Sequence, residues 1–236
     1  MQISIIIMCV IGGYLIGSIS LARVVTQIVS PGTKLDGVDL PDQKTGGTFT
    51  LNTVGATTAS VILGPRIGGL IGMLDILKGA LPALILRLVF PDQPYFLFIG
   101  TAIILGHIWP LYYHFHGGGG LSPALGVLLV LDPLGMLISI LVAFFLGIFI
   151  INEVSFVVMG GPWLFIIWIA IRTGNWMYIV FGVLINLILM IAVIPDIRVH
   201  IKARKAGQTD LSASLPMAKM MRKMMNKYSL TQKKKD

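Results

Sequence analysis

Gly106-His107-Ile108-Trp109-Pro110, continuing through His114-Phe115-His116 into Gly117-Gly118-Gly119-Gly120-Leu121-Ser122-Pro123, is the stretch around which the rest of the chain is arranged. One apolar segment runs into it and another leaves it, and it holds three of the four histidines. Glycine lacks Cβ and tolerates positive φ, so four in succession let bare backbone amides converge on a ligand. Ahead of a helix N-terminus, such a run forms an anion cradle. With no ligand to serve, the same run is a flexible turn between helices. The flanking His and Pro residues are what give the cradle its interest.

The apolar segments on either side decide the class. Of 236 residues, 56% are hydrophobic and 12% charged, and mean hydropathy is +0.88. Soluble domains carry roughly 25% charged residues. The expectation is an all-α integral membrane protein of about seven transmembrane segments, one of them short. The spans read as 3–29, 67–90, 95–112, 121–131, 134–151, 154–171 and 176–194. The fourth, at eleven residues, falls short of the ~20 that cross unaided and ends at Asp132-Pro133. It is the form of a half-helix, tolerated where protein or a water-filled cavity covers its end. Residues 30–66 form a polar connection. Residues 1–207 make one multi-pass domain, and 208–236 a basic tail. The N-terminus lacks the basic region of a signal peptide, so the first segment is expected to remain as a helix. Cys9 is the single cysteine and metal-type Cys/His spacing is absent; no metal or organic cofactor is implied by the reading developed below.

Charge sets the orientation. The formal net charge is +8, and eleven of the eighteen Lys and Arg lie beyond residue 194. The positive-inside rule puts this tail in the cytoplasm and, with seven crossings, the N-terminus outside. The 30–66 connection, the glycine stretch and the Asn152-Glu153 turn then share the cytoplasmic face of the plasma (inner) membrane. The turns at Asp92, Asp132 and Arg172 take the other. That convergence requires the short segment to cross. In the tail, Ser214-Leu215-Pro216 starts a helix in which Met217, Met220, Met221, Met224, Met225 and Tyr228 form an apolar stripe. Lys219, Arg222, Lys223 and Lys227 take the opposite side, which suits an anionic leaflet, or failing that a partner protein. Nucleic acid is not an expected partner.

Several groups have both chemical and plain readings. Gly12, Gly13 and Gly17 give the first helix a small face for close packing. Arg23, near the end of that span, either snorkels or meets an anion. Thr50-Leu51-Asn52-Thr53-Val54-Gly55-Ala56-Thr57-Thr58 suits an oxyanion, or an ordinary loop and helix cap. Asp75 and Lys78 share one helical face, and mutual neutralisation is favoured over direct catalysis. Asn186 is expected to hydrogen-bond between helices. The histidines suit acid–base work or interfacial anchoring.

In order and spacing, these blocks resemble the PlsY family, bacterial membrane acyltransferases that acylate glycerol 3-phosphate from acyl phosphate. Gly17-Ser18-Ile19 is similar to the family's G-S-I-P. Val38-Asp39-Leu40 and Gly55-Ala56-Thr57 are similar to D-L-x…G-S-G-N-x-G-A-T-N-x-x-R, and Asp75-Ile76-Leu77-Lys78-Gly79 to D-x-x-K-G. Gly106-His107-Ile108-Trp109-Pro110, Phe115-His116-Gly117-Gly118-Gly119-Gly120 and Ala124-Leu125-Gly126-Val127 resemble G-H-x-F-P…F-K-G-G-K-G-V-A-T-A-L-G-V. Ala206-Gly207 resembles the end of the last block. The chain departs at Ser20 for proline, Gln27 for a basic residue, Thr58 for asparagine and Val61 for arginine. His116 and Gly119 replace two lysines, and His200 stands at an asparagine, while Lys202 remains.

The resemblance implies acyl transfer from acyl phosphate to glycerol 3-phosphate, giving lysophosphatidate. Amides of Gly117, Gly118, Gly119 and Gly120 and of Gly55, Ala56 and Thr57 would hold phosphate and developing oxyanion charge. Ser18, Arg23 and Asn52 would orient substrate, and His107 would order the loop or assist proton movement. Thr58, Lys78, His116, His200 and Lys202 would complete the binding set. Several lost cations leave a second possibility, a non-catalytic or specificity-altered paralogue that binds lipid or acts as a scaffold.

Overall fold

The computed structural model describes residues 1–36, 38–41, 48–51, 53–151 and 153–205. The basic tail and its amphipathic stripe lie outside the described residues. The helices are α1 (Ile3–Ser18), α2 (Leu21–Val29), α3 (Ala56–Leu63), α4 (Pro65–Val89), α5 (Tyr95–Ile108), α6 (Leu121–Leu131), α7 (Pro133–Phe145), α8 (Val154–Thr173) and α9 (Trp176–Lys205). A 3₁₀ turn at Leu111–Tyr113 follows α5, and a π-type turn at Leu146–Ile150 extends α7. Six described stretches are long and apolar enough to cross a membrane, and Leu121–Leu131 is the shorter seventh. The all-α expectation holds for the membrane-spanning part.

Two details differ from the sequence reading. The polar connection carries a small antiparallel hairpin, β1 (Val38–Pro41) paired with β2 (Thr48–Leu51), and the short helix α3. The first span is two helices rather than one. Ile19 is extended, at φ −71° and ψ 110°, and the Ser20 hydroxyl accepts from the Arg23 amide at 3.4 Å to begin α2. The carbonyls of Gly17 and Ile19 released by this break are taken up by the Lys78 ammonium.

Packing follows the small residues. A Cβ at Gly13 would lie 2.8 Å from Ile99 O, and one at Gly106 would lie 2.9 Å from Ser18 N, so α1 and α5 meet backbone to backbone. α4 and α6 meet likewise, with Gly79 against Pro123 and Gly126 against Ile76 and Ala80. In lipid, such close van der Waals contact takes over from the hydrophobic effect as the force between helices. The core between them holds Ile103, Ile104, Leu128, Met136, Phe165 and Ile185. Asn186 Nδ2 donates to Pro162 O at 3.1 Å, the expected bond between α9 and α8.

The short helix links the two ends of the bundle. At one end the Gln2 amide meets the Tyr95 hydroxyl at 2.7 Å, and Arg87 donates to Val130 O and to Leu131 O, the latter at 2.9 Å. There Asp132 caps α7 through the Gly135 amide at 2.8 Å and pairs with Arg172 Nε at 3.2 Å. At the opposite end the glycine stretch folds back into the bundle, its Gly118 amide bonded to His107 O at 3.1 Å. Eleven residues, about 16 Å of helix, therefore suffice, because the loop supplies the remaining depth.

Candidate active site

At that end, three buried charged or titratable side chains interlock. Lys78 Nζ lies 3.1 Å from Asp75 Oδ1 and 3.1 Å from His107 Nδ1, and donates to Gly17 O at 3.2 Å and Ile19 O at 3.0 Å. His107 Nδ1 is 3.4 Å from the same Asp75 oxygen. The favoured neutralisation of Asp75 by Lys78 is thus present, with His107 added to it. A cation at the C-terminal end of α1 faces carbonyls whose dipoles attract it, so the lysine closes a helix as well as balancing an acid. Its ammonium is fully committed.

His107 in turn shapes the glycine loop. Gly118 lies against the imidazole, where a Cβ would come to 3.1 Å from Cδ2 and closer still to Nε2. Gly117 lies against His107 O, with its Cβ position 2.6 Å from Pro110 Cδ. Only glycine allows this approach. Gly120 has φ +78° and precedes α6 as its N-cap. Before it, His114 and Phe115 also hold positive φ, 50° and 61°, an uncommon conformation for side chains of that size. Gly119 differs from its neighbours: a Cβ there would meet nothing within 4 Å.

The loop draws a second helix start to its side. The Val54 amide donates to Gly117 O at 2.9 Å, and a Cβ on Gly55 would sit 3.9 Å from Gly118 Cα. Gly55 is the N-cap of α3. The N-termini of α3 and α6 therefore stand side by side. Among the described residues, no acceptor takes the amides of Ala56, Thr57, Gly119, Leu121 or Ser122. Two helix starts with idle amides form a local positive field suited to an anion.

Around this cradle the expected residues divide. Arg23 reaches it, donating to His116 O at 3.0 Å and to the Asp36 carboxylate, with its guanidinium 4.3 Å from the Tyr113 ring centroid. Thr57 is exposed on the first turn of α3, and Thr58 is buried with its hydroxyl donated to Thr53 O. His116 is exposed, its Nδ1 2.7 Å from His114 O. Ser18 is fully buried: its hydroxyl donates to Tyr14 O at 2.8 Å and accepts from the Leu111 amide at 3.1 Å. It fastens the 3₁₀ turn to α1. His200 and Lys202 lie on the last turns of α9, and Asn52 lies outside the described residues. Asp36 and Tyr113 were not singled out from the sequence, nor was the contact of His107 with Asp75. These contacts join separate segments, which spacing along the chain cannot register.

A family model described as Glycerol-3-phosphate acyltransferase matches residues 7–204. The chain is 38% identical over 144 residues to the glycerol-3-phosphate acyltransferase of Myxococcus xanthus, covering 61% of this chain and 68% of that one. It is 41% identical over 142 residues to that of Aquifex aeolicus, covering 60% and 66%. These alignments span about two thirds of the curated relatives. Crystal structures of PlsY, described as an integral membrane glycerol 3-phosphate acyltransferase, superpose more fully. The glycerol 3-phosphate form has TM-score 0.68 at 28% identity, covering 88% of this chain and 96% of that one. The lysophosphatidic acid form has TM-score 0.67 at 26% identity, covering 84% and 93%. With the order of its helices, its glycine-built loop and the match over residues 7–204 in agreement, the chain belongs to the glycerol-3-phosphate acyltransferase (PlsY) family of integral membrane proteins.

Proposed function

We propose that this chain transfers an acyl group from acyl phosphate to the sn-1 hydroxyl of glycerol 3-phosphate, releasing inorganic phosphate and lysophosphatidate. The observation that carries the proposal is the pairing of two helix N-termini through Val54 N–H···O Gly117, 2.9 Å, with unoccupied amides on both. The acceptor oxygen attacks the acyl carbon, negative charge moves onto the carbonyl oxygen, and the bond to the phosphate oxygen breaks. The acceptor's proton leaves with the departing phosphate. The Gly118 amide, expected to take part, is instead spent on His107 O at 3.1 Å and fixes the loop, which leaves the Gly119 amide to face charge that develops during the reaction without reorganisation. Holding both substrates in one cradle supplies proximity, the other large contribution.

Arg23 and the amides of Gly55, Ala56 and Thr57 hold phosphate in this scheme, with Thr58 keeping the turn before α3 closed. Gly117 and Gly120 shape the loop and His116 lines its rim. His107, Ser18 and Lys78 are positioning residues: each acts through the loop or through the end of α1. The family resemblance adds Asn52, His200 and Lys202 to the proposed binding set. The cradle faces the cytoplasm of the inner membrane, with the N-terminus outside and the basic tail resting on anionic lipid.

The test supplies purified protein with acyl phosphate and glycerol 3-phosphate and measures lysophosphatidate. Product is expected from the wild type and not from Gly117→Trp, whose side chain has no room beside Pro110 and His107. The commitment of Lys78 to protein groups favours one other reading, a lipid-binding paralogue without turnover. No product where a family enzyme turns over, with glycerol 3-phosphate still bound, would establish that reading instead.

A further inference from the structure

Arg23 has one arm engaged and one idle. Its Nη2 serves both the Asp36 carboxylate and His116 O, whereas Nη1 is shielded from solvent and has no hydrogen-bond partner among the described residues. The two partners are unequally placed. The Arg23 side chain is 15% exposed, braced over Tyr113, but that of Asp36 is 58% exposed. The cation is thus built into the loop, and the carboxylate approaches it from the solvent side. A guanidinium is a planar fork suited to bidentate binding of an oxyanion. Asp36 uses half of it. Exposed pairs of this kind are weak and screened by salt.

We infer that Asp36 is a stand-in anion that competes with the acceptor's phosphate for Arg23 and so sets the acceptor's affinity. A phosphomonoester carries up to two charges and three acceptor oxygens, enough to outcompete a single carboxylate at Nη2 while reaching the neighbouring amides. On binding it displaces the carboxylate and frees the segment that carries Asp36 from the glycine loop. The inference rests on the acyltransferase reading for the identity of the acceptor.

The experiment uses the full chain in nanodiscs. It measures calorimetric binding of glycerol 3-phosphate, and KM for glycerol 3-phosphate and acyl phosphate separately, at low and high ionic strength. Asp36→Asn, with Asp36→Ala as a second variant, is expected to lower Kd and KM for glycerol 3-phosphate about two- to six-fold. KM for acyl phosphate stays unchanged, the gain shrinks as salt rises, and Arg23→Gln abolishes it. Unchanged or weaker binding in both Asp36 variants overturns the inference. So does a gain confined to acyl phosphate, or one that survives Arg23→Gln. Tighter binding in Asp36→Asn without any lysophosphatidate would keep the inference and remove the transferase reading. Turnover with Asp36 variants indistinguishable from wild type would do the reverse.

Discussion

Gly118→Ala probes the link between the buried ion cluster and the loop. A Cβ at Gly118 would lie 3.0 Å from Val54 O and 3.1 Å from His107 Cδ2, with His107 Nε2 nearer still. Ordinary carbon contacts lie at ~3.5–4.0 Å, so loop and ring must part by about 1 Å. The ring cannot yield freely, because its Nδ1 is held 3.1 Å from Lys78 Nζ and 3.4 Å from Asp75 Oδ1. Overpacking of this kind costs about 1–3 kcal/mol. A shift of that size in a substrate-positioning group costs on the order of 100-fold in rate. Gly118→Ala is therefore expected to lower kcat/KM about 100-fold and to lower the thermal midpoint. Gly119→Ala, whose Cβ meets nothing within 4 Å, should leave the midpoint unchanged. Adding His107→Ala to Gly118→Ala should restore part of the lost stability by making room, a non-additivity that thermal unfolding of the three variants would read. If Gly118→Ala matches wild type in both turnover and midpoint, the loop does not depend on His107 and the reasoning fails.

Three further outcomes follow from the same contacts. Lys78→Met leaves the buried Asp75 without its cation and should cost about 3–5 kcal/mol, much of it recovered in the double variant with Asp75→Leu, as judged by chemical unfolding in detergent. Ser18→Ala orphans the Leu111 amide, 3.1 Å from the hydroxyl, and should cost about 1–3 kcal/mol. The midpoint of folded protein on heating would check it. Asn186→Leu removes a buried bond between α8 and α9 and should cost about 1–2 kcal/mol while turnover per folded molecule stays at the wild-type level.

The sequence by itself determined the class, the spans and the places of close backbone approach. Runs of apolar residues have only one stable form in lipid, because a backbone there must satisfy its own hydrogen bonds. Hence the limits of α6 could be read at Leu121 and Asp132 with no structure in hand. The glycines likewise announced close approach, since nothing else gains from lacking a Cβ at so many contacts. Partnership was another matter. Whether Arg23 snorkelled or met an anion depended on Asp36, thirteen residues away, and on His116 from a different span. That Ser18 fastens a turn, and that Lys78 closes α1 as well as neutralising Asp75, came from contacts 93 and 59–61 residues apart in the chain. Periodicity records which face a residue occupies within its own helix, whereas a buried polar group takes whichever partner the packing of other helices delivers. That choice belongs to the tertiary structure.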